Sequence, residues 1–359
     1  MSLWIRIGVT ALALAAAIVP WNSETIERSY SLAVYPHIQR IITPVSNLVP
    51  FALFDVLTIV AVGWLVVVTG RGVRRAVAVR RMRPLLSALG RVATVAAVVY
   101  LAFLLIWGLN YRRVPMGQRL VLDRPLPSTE EVMALGLDAV RRMNALHVQA
   151  HRVGWADDPR RDEQLLQAYA FVQSRLSGQA SAVPGRLKKT IYGPYFRWTT
   201  VDGMVDPFAL EVLANPDLLP YERTFVAAHE WAHLAGFADE AEANFVAWLT
   251  CVRAGVPPQY SAWLSLYWQI GGEVSVDNRR RLWDAMDEGP RRDVLAISER
   301  LRRGQLPLLR SASWRVYDGY LKANRVEEGI RSYGQVITLI LRARFEDGWV
   351  PVRRSDPFR

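Results

Sequence analysis

The sequence predicts a mainly α protein: three helices that cross a membrane, then a mostly helical domain with a small β element. Three observations predict it. Residues 3–20, 51–69 and 85–109 are apolar runs, each interrupted by a single charge (Arg6, Asp55 and Arg91). An arginine-rich connection lies between the second and third runs. After residue 114 the apolar residues recur at helical spacing, and strand-like alternation is confined to about 190–205.

Each run is long enough, or nearly so, to span a bilayer as a helix. Trp21, Trp64, Trp107 and Tyr111 include the aromatic anchors expected where such helices meet water. The first run, with its alanine-rich stretch, also fits a cleaved signal peptide. Arg71, Arg74, Arg75, Arg80, Arg81, Arg83 and Arg91 mark the connection between runs two and three as cytoplasmic, because basic loops resist translocation. The 22–50 connection carries only Arg28 and Arg40 against Glu24 and Glu27. The N-terminus then lies inside, and everything after Tyr111 faces the periplasm or cell exterior of a bacterial cytoplasmic membrane. The net charge of +11 is concentrated at this end: residues 1–114 hold 12 Lys and Arg against 3 Asp and Glu. It reads as topology and lipid contact, with the bilayer as partner. It gives no reason to expect nucleic acid.

The expected division is a membrane domain over 1–113 and an extracytoplasmic domain over 114–359. One cysteine, Cys251, excludes an internal disulfide, so the second domain must rely on its core. Ser128 with Glu131 forms a capping signature for a helix to about Val153. That helix carries His147 and His151 one turn apart. No glutamate lies between them and no third ligand is near in sequence, so they read as solvated. A second helix is expected over 162–176. Residues 190–205 are the best strand candidate and would supply an edge against which a substrate lines up. Further helices are expected over 261–270, 278–286, 293–303, 311–322 and 327–344.

Residues 229–233 read HEWAH. On a helix, His229 and His233 project from one face and grip one zinc ion, with Glu230 beside it to take a proton from water. The flanking Val226, Ala227, Ala228, Trp231 and Ala232 suit a buried helix, and Gly236 stops it. A new helix follows from about Ala238 to Arg253. A catalytic zinc needs a third ligand. Asp239 completes a string HExxHxxGxxD similar to the metzincin pattern. Glu242 instead shares a stripe with Ala238, Phe245, Leu249 and Val252, where a lone carboxylate is costly unless paired or bound to metal. On that ground the expected ligands are His229, His233 and Glu242, with Asp239 the alternative third ligand and Glu240, on a different line, solvated or supporting a ligand.

Residues 229–245, HEWAHLAGFADEAEANF, resemble the signature of an uncharacterised family of bacterial membrane proteins. That family joins three N-terminal transmembrane helices to a C-terminal HExxH domain. Trp107–Arg112, Gln259–Ser261, Tyr320–Asn324, Gly329 and Ser332–Gly334 carry the resemblance along most of the chain. It implies a zincin-like zinc peptidase. The Glu-Ala-Asn element also resembles zincins of the ImmA/IrrE type, which implies Glu242 as the metal ligand. Asp239 departs from the family string.

The function expected is therefore zinc-dependent hydrolysis of a protein or peptide at the outer face of the membrane. Glu230 is the catalytic base, and Tyr260, near in sequence, is a candidate donor to the oxyanion. The other reading is a non-proteolytic envelope protein with a structural or inactive zinc site. The intact Glu230 favours the enzyme.

Overall fold

The computed structural model describes residues 3–178, 181–323 and 335–354. At the N-terminus, α1 (Leu3–Ile18) leads into a helical rod of α2 (Ser23–Ile26), a π-helical stretch (Glu27–Val34) and α3 (Tyr35–Leu48). The chain then forms a hairpin of two long helices, α4 (Leu53–Val79) and α5 (Arg83–Ile106). Both hairpin helices are apolar and long enough to cross a membrane, and the apolar window of α4 is 0 % buried by protein. A third span exists only if Trp4–Ile18 and Ser23–Leu48, bent by 112°, count as one.

The bend has a physical cause. The rod over 23–48, expected as a connection, is polar on one side, and that side docks on the C-terminal domain. Tyr35 Oη donates to the Leu234 carbonyl at 2.7 Å, and Thr43 Oγ1 to the Leu210 carbonyl at 2.9 Å. Gln39 pairs with both backbone groups of Val183, and Asn47 accepts from Arg186 N at 2.8 Å. A helix whose buried face carries Gln39, Thr43 and Ser46 satisfies those groups on protein, not in lipid.

The C-terminal domain opens with α6 (Met116–Arg119) and α7 (Thr129–Val153), the latter with the expected Ser128–Glu131 capping box. Next come α8 (Glu163–Ser177) and a three-stranded sheet with an inserted helix: β1 (Leu187–Lys188), α9 (Gly193–Thr199), β2 (Gly203–Asp206) and β3 (Glu211–Ala214). Strand order is β1-β3-β2, parallel then antiparallel, so β2 is an edge. The strand signal over 190–205 is thus only partly met. Residues 195–199 are helical, because Pro194 starts a turn at Gly193 and Thr200 closes it in the left-handed region at φ 58°.

The core is built on α10 (Pro220–Leu234), α11 (Glu240–Val252) and α12 (Val256–Glu273), packed on α7. Trp231, Trp248 and Trp263 are fully buried there, the last two edge to face at 5.5 Å. The domain is completed by α13 (Val276–Asp284), α14 (Glu288–Gly304), α15 (Pro307–Ala323), α16 (Gln335–Arg342) and a ribbon of β4 (Phe345–Glu346) with β5 (Val350–Pro351). The residues 327–334 of the expected last helix, with Asn324, Gly329 and Ser332–Gly334, lie outside the described residues.

The apolar hairpin is tied to this domain at its open end. At the start of α4, Phe54 N donates to Glu211 Oε1 at 2.8 Å, and Asp55 accepts from Thr190 Oγ1 at 2.5 Å. Just beyond α5, Trp107 Nε1 donates to the His233 carbonyl at 3.1 Å. Arg80, Arg81 and Arg83 therefore sit at the opposite end of the hairpin, about 36 Å away for a 24-residue helix, with Arg71, Arg74, Arg75 and Arg91 within about two turns of that end.

Candidate metal centre

α10 presents His229, Glu230 and His233. It ends as its sequence predicts: Gly236, at φ +84°, lets its own N–H reach the His233 carbonyl at 2.9 Å and Phe237 N reach the Ala232 carbonyl at 3.1 Å. This turn sends the chain back over the helix. Asp239 then caps α11, accepting from Ala241 N and Glu242 N at 2.9 and 3.1 Å. Asp239 thus serves the cap through Oδ1 and lies outside the group of donors that converge.

The cap delivers Glu240 to the histidines. Nε2 of His229 and Nε2 of His233 are 3.1 Å apart. Glu240 Oε2 lies 3.3 Å from the first and 3.7 Å from the second. Donor atoms on a tetrahedral zinc are about 3.3 Å apart, given bonds near 2.0–2.1 Å. The three atoms match that spacing, and the cluster is able to hold a metal ion.

Glu242 corrects the sequence expectation. It points away from the histidines into a buried ion network. Oε1 accepts from Met116 N at 2.5 Å, and Oε2 faces Arg119 at 3.3 Å. Arg119 also faces Glu27, which Arg113 grips with two hydrogen bonds at 2.8 and 2.7 Å. A buried carboxylate needs a partner, and here the partner is arginine. The stripe argument failed because every residue of α11 from Glu240 to Cys251 is buried, so the helix has no solvated face for Glu240 to occupy.

The hydrogen-bond inventory fits a cation between the three donors. His233 Nδ1 is 2.7 Å from the Phe237 carbonyl, which only accepts, so Nδ1 carries a proton and Nε2 is the atom that offers a lone pair once a cation displaces its proton. Nε2 faces the second imidazole and a carboxylate oxygen. Glu240 Oε2 makes no well-directed hydrogen bond, and His229 Nδ1 and Glu230 Oε2 are also buried without one among the described residues. Burial works against the charge of Glu240, but His233 and His229 outweigh it and hold the carboxyl well below its usual range. Burial would likewise lower His233, yet Glu240 and then Glu230 push it up to about 9. The cluster attracts positive charge.

Glu230 is buried beside the pair, and desolvation raises its pKa despite both imidazoles. Strand β2 passes directly over it. A Cβ on Gly203 would lie 2.9 Å from Glu230 Cδ. Arg300 of α14 fixes this approach by binding Asp202 at 3.0 Å and Glu222 at 2.6 Å, one on each side. Gly203→Ala should leave fold and metal content intact, because the side chain that must move is flexible. It should displace Glu230 and, if Glu230 is the base of a hydrolase, lower its rate by about 10²-fold, the lower value expected for losing a positioned base. An unchanged rate in that variant would show that β2 does not press on Glu230.

Tyr260 is not at this site. It is fully buried and donates to Asp293 Oδ2 at 2.5 Å, beside His147 and His151. It is near in sequence but not in space because α12 runs back along α7. The tyrosine at the metal centre is Tyr317 of α15, whose hydroxyl donates to Glu240 Oε1. That bond turns Oε2 toward the histidines. Sequence reasoning missed Tyr317 because no spacing rule links it to a motif 77 residues away.

No curated protein and no solved structure matches the chain. The family described as "Protein of unknown function (DUF3810)" matches residues 30–341. That stretch takes in the docked rod, the hairpin and the HExxH centre, and the chain belongs to this family.

Proposed function

We propose that the protein is a membrane-anchored, zinc-dependent metallopeptidase that hydrolyses peptide bonds of a protein or peptide at the outer face of the cytoplasmic membrane. The observation that carries the reading is the convergence of His229 Nε2, His233 Nε2 and Glu240 Oε2 next to a buried Glu230 whose Oε2 has no hydrogen-bond partner among the described residues. His229, His233 and Glu240 would hold zinc, and the ion would supply a Lewis acid that polarises a carbonyl and makes water nucleophilic near neutral pH. Glu230, with its raised pKa, takes the proton from the attacking water and returns it to the leaving nitrogen. A structural site has no need of such a base.

β2 is an edge strand lying over Glu230, so an extended peptide adds to it by backbone pairing and passes the base. Tyr317 holds Glu240 in the orientation that serves the histidines. The membrane placement rests on two spans that tie to the domain at the end opposite the arginines. Under the positive-inside rule the domain then lies outside, against the bilayer. Trp107 puts the metal helix in direct hydrogen-bonded contact with the end of a spanning helix, so the substrate is met near the lipid surface.

Glu230→Gln tests the enzyme reading. The variant should keep one zinc at this centre and lose about 10²–10⁴-fold of cleavage rate on an unfolded protein substrate in detergent. Equal turnover by the variant would remove Glu230 from the chemistry. Zinc retention with no cleavage by wild type on any of a broad peptide library would favour the structural reading.

A further inference from the structure

Four of the five histidines stand in two pairs, each one turn apart on a helix and each facing a carboxylate from another helix. The second pair is His147 and His151 of α7, facing Asp293 of α14. His151 Nε2 is 2.8 Å from Asp293 Oδ2 and His147 Nε2 is 3.5 Å from the same oxygen. The two rings lie 4.3 Å apart, inclined by 37°. The 3.5 Å spacing is close to the about 3.3 Å between donors on one tetrahedral ion, and the 2.8 Å spacing is a hydrogen bond that a cation would open by about half an ångström.

We propose that His147, His151 and Asp293 form a second metal site, for a zinc-class divalent cation, separate from the HExxH centre. A hydrogen-bonded network alone leaves His147 Nε2 with a contact of only 3.5 Å to the carboxylate. Tyr260 already donates to Asp293 Oδ2 at 2.5 Å and His151 stands 2.8 Å from it. One carboxylate oxygen offers two lone pairs, and His147 at 3.5 Å is too far for a strong third bond. A cation uses all three donors at once. Two imidazoles and a carboxylate are the donor set that suits zinc.

The surroundings are built for it. The His147 and Asp293 side chains are 15 % and 10 % exposed, while His151 is 37 % exposed and gives solvent a way in. Tyr260 orients the carboxylate, and Trp155 packs edge to face on His151 at 5.1 Å. Gly289, in the first turn of α14, leaves room for the His147 ring: a Cβ there would stand 2.5 Å from Nδ1. The site also reaches the HExxH helix. Tyr221, two turns before His229 on α10, packs on His151 at 5.9 Å, and its hydroxyl donates to the Asp293 carbonyl at 3.4 Å. A cation at this point clamps α7 and α14 around the start of α10.

The test is metal counting on the full chain in detergent, loaded with Zn²⁺ and dialysed against metal-free buffer. Wild type should retain two zinc ions per chain. His147→Ala/His151→Ala should retain one, and His229→Ala/His233→Ala should retain one. Asp293→Asn keeps the shape of the side chain and should also lose one. With Co²⁺ replacing zinc in the His229→Ala/His233→Ala protein, visible d–d absorption should appear, and adding His151→Ala should abolish it. One zinc in wild type that survives His147→Ala/His151→Ala would overturn the second site while leaving the first. Two zinc ions in Asp293→Asn would overturn it as well.

Discussion

Glu240→Gln should lower zinc affinity by more than about 100-fold, and Glu242→Gln should leave it within a few-fold of wild type. The first change removes a donor from a set whose spacing fits the ion, and even outer-shell losses cost 10–100-fold. The second removes a carboxylate that faces Arg119 and the Met116 N–H and approaches neither histidine. Its effect falls on stability. Glu242 and Arg119 are about nine-tenths buried, and breaking a buried pair by changing one partner costs about 3–5 kcal/mol. The value should lie near the lower end, because Glu27 stays 3.5 Å from Arg119 to balance it. Zinc content and thermal unfolding of the two variants in detergent separate the roles. Zinc lost with Glu242 and kept without Glu240 would reverse the assignment of the third ligand and undo the geometric case for this centre.

That exchange shows where sequence reasoning reaches its limit. The HExxH helix, the stop at Gly236, the Ser128 cap and the apolar hairpin are local, and local spacing or capping chemistry reports them. Choosing between Glu240 and Glu242 required knowing which side of α11 faces what. Periodicity answers that only when one side is wet, and α11 is buried all round. The same limit applied to the 22–50 segment. Its polar residues read as a water-exposed connection, but they meet backbone carbonyls of a domain more than 100 residues away. His147 and His151 looked solvated because their third partner, Asp293, is 142 residues on. Tyr260 looked close to the cluster because it is close in the chain, while the tyrosine that bonds Glu240 is Tyr317. Sequence order carries little information about pairs brought together by the packing of four or five helices.

Lys188→Met and Glu211→Leu should each destabilise the protein by about 3–5 kcal/mol, and the double variant should recover most of that loss. Both side chains are 0 % exposed and their charged atoms are 2.5 Å apart. Either single change strands a charge where water cannot reach it, which costs more than the pair contributes over an apolar replacement. The pair also has a positional role. Lys188 Nζ donates to the Ser46 carbonyl at 2.7 Å, and Glu211 Oε1 accepts from Phe54 N at 2.8 Å. One ion pair therefore bonds β1 to β3, the end of α3 to β1, and the start of the first hairpin helix to β3. The double variant keeps a filled core but loses both links to the membrane segments. Thermal unfolding in detergent should show a large negative coupling between the two sites. Limited proteolysis of the 49–52 connection should be faster in the double variant than in wild type, since nothing else polar on β1 or β3 holds Phe54 N or the Ser46 carbonyl. Additive losses in the cycle would mean that the two charges are compensated separately, and that the hairpin docks through Asp55 and Trp107 alone.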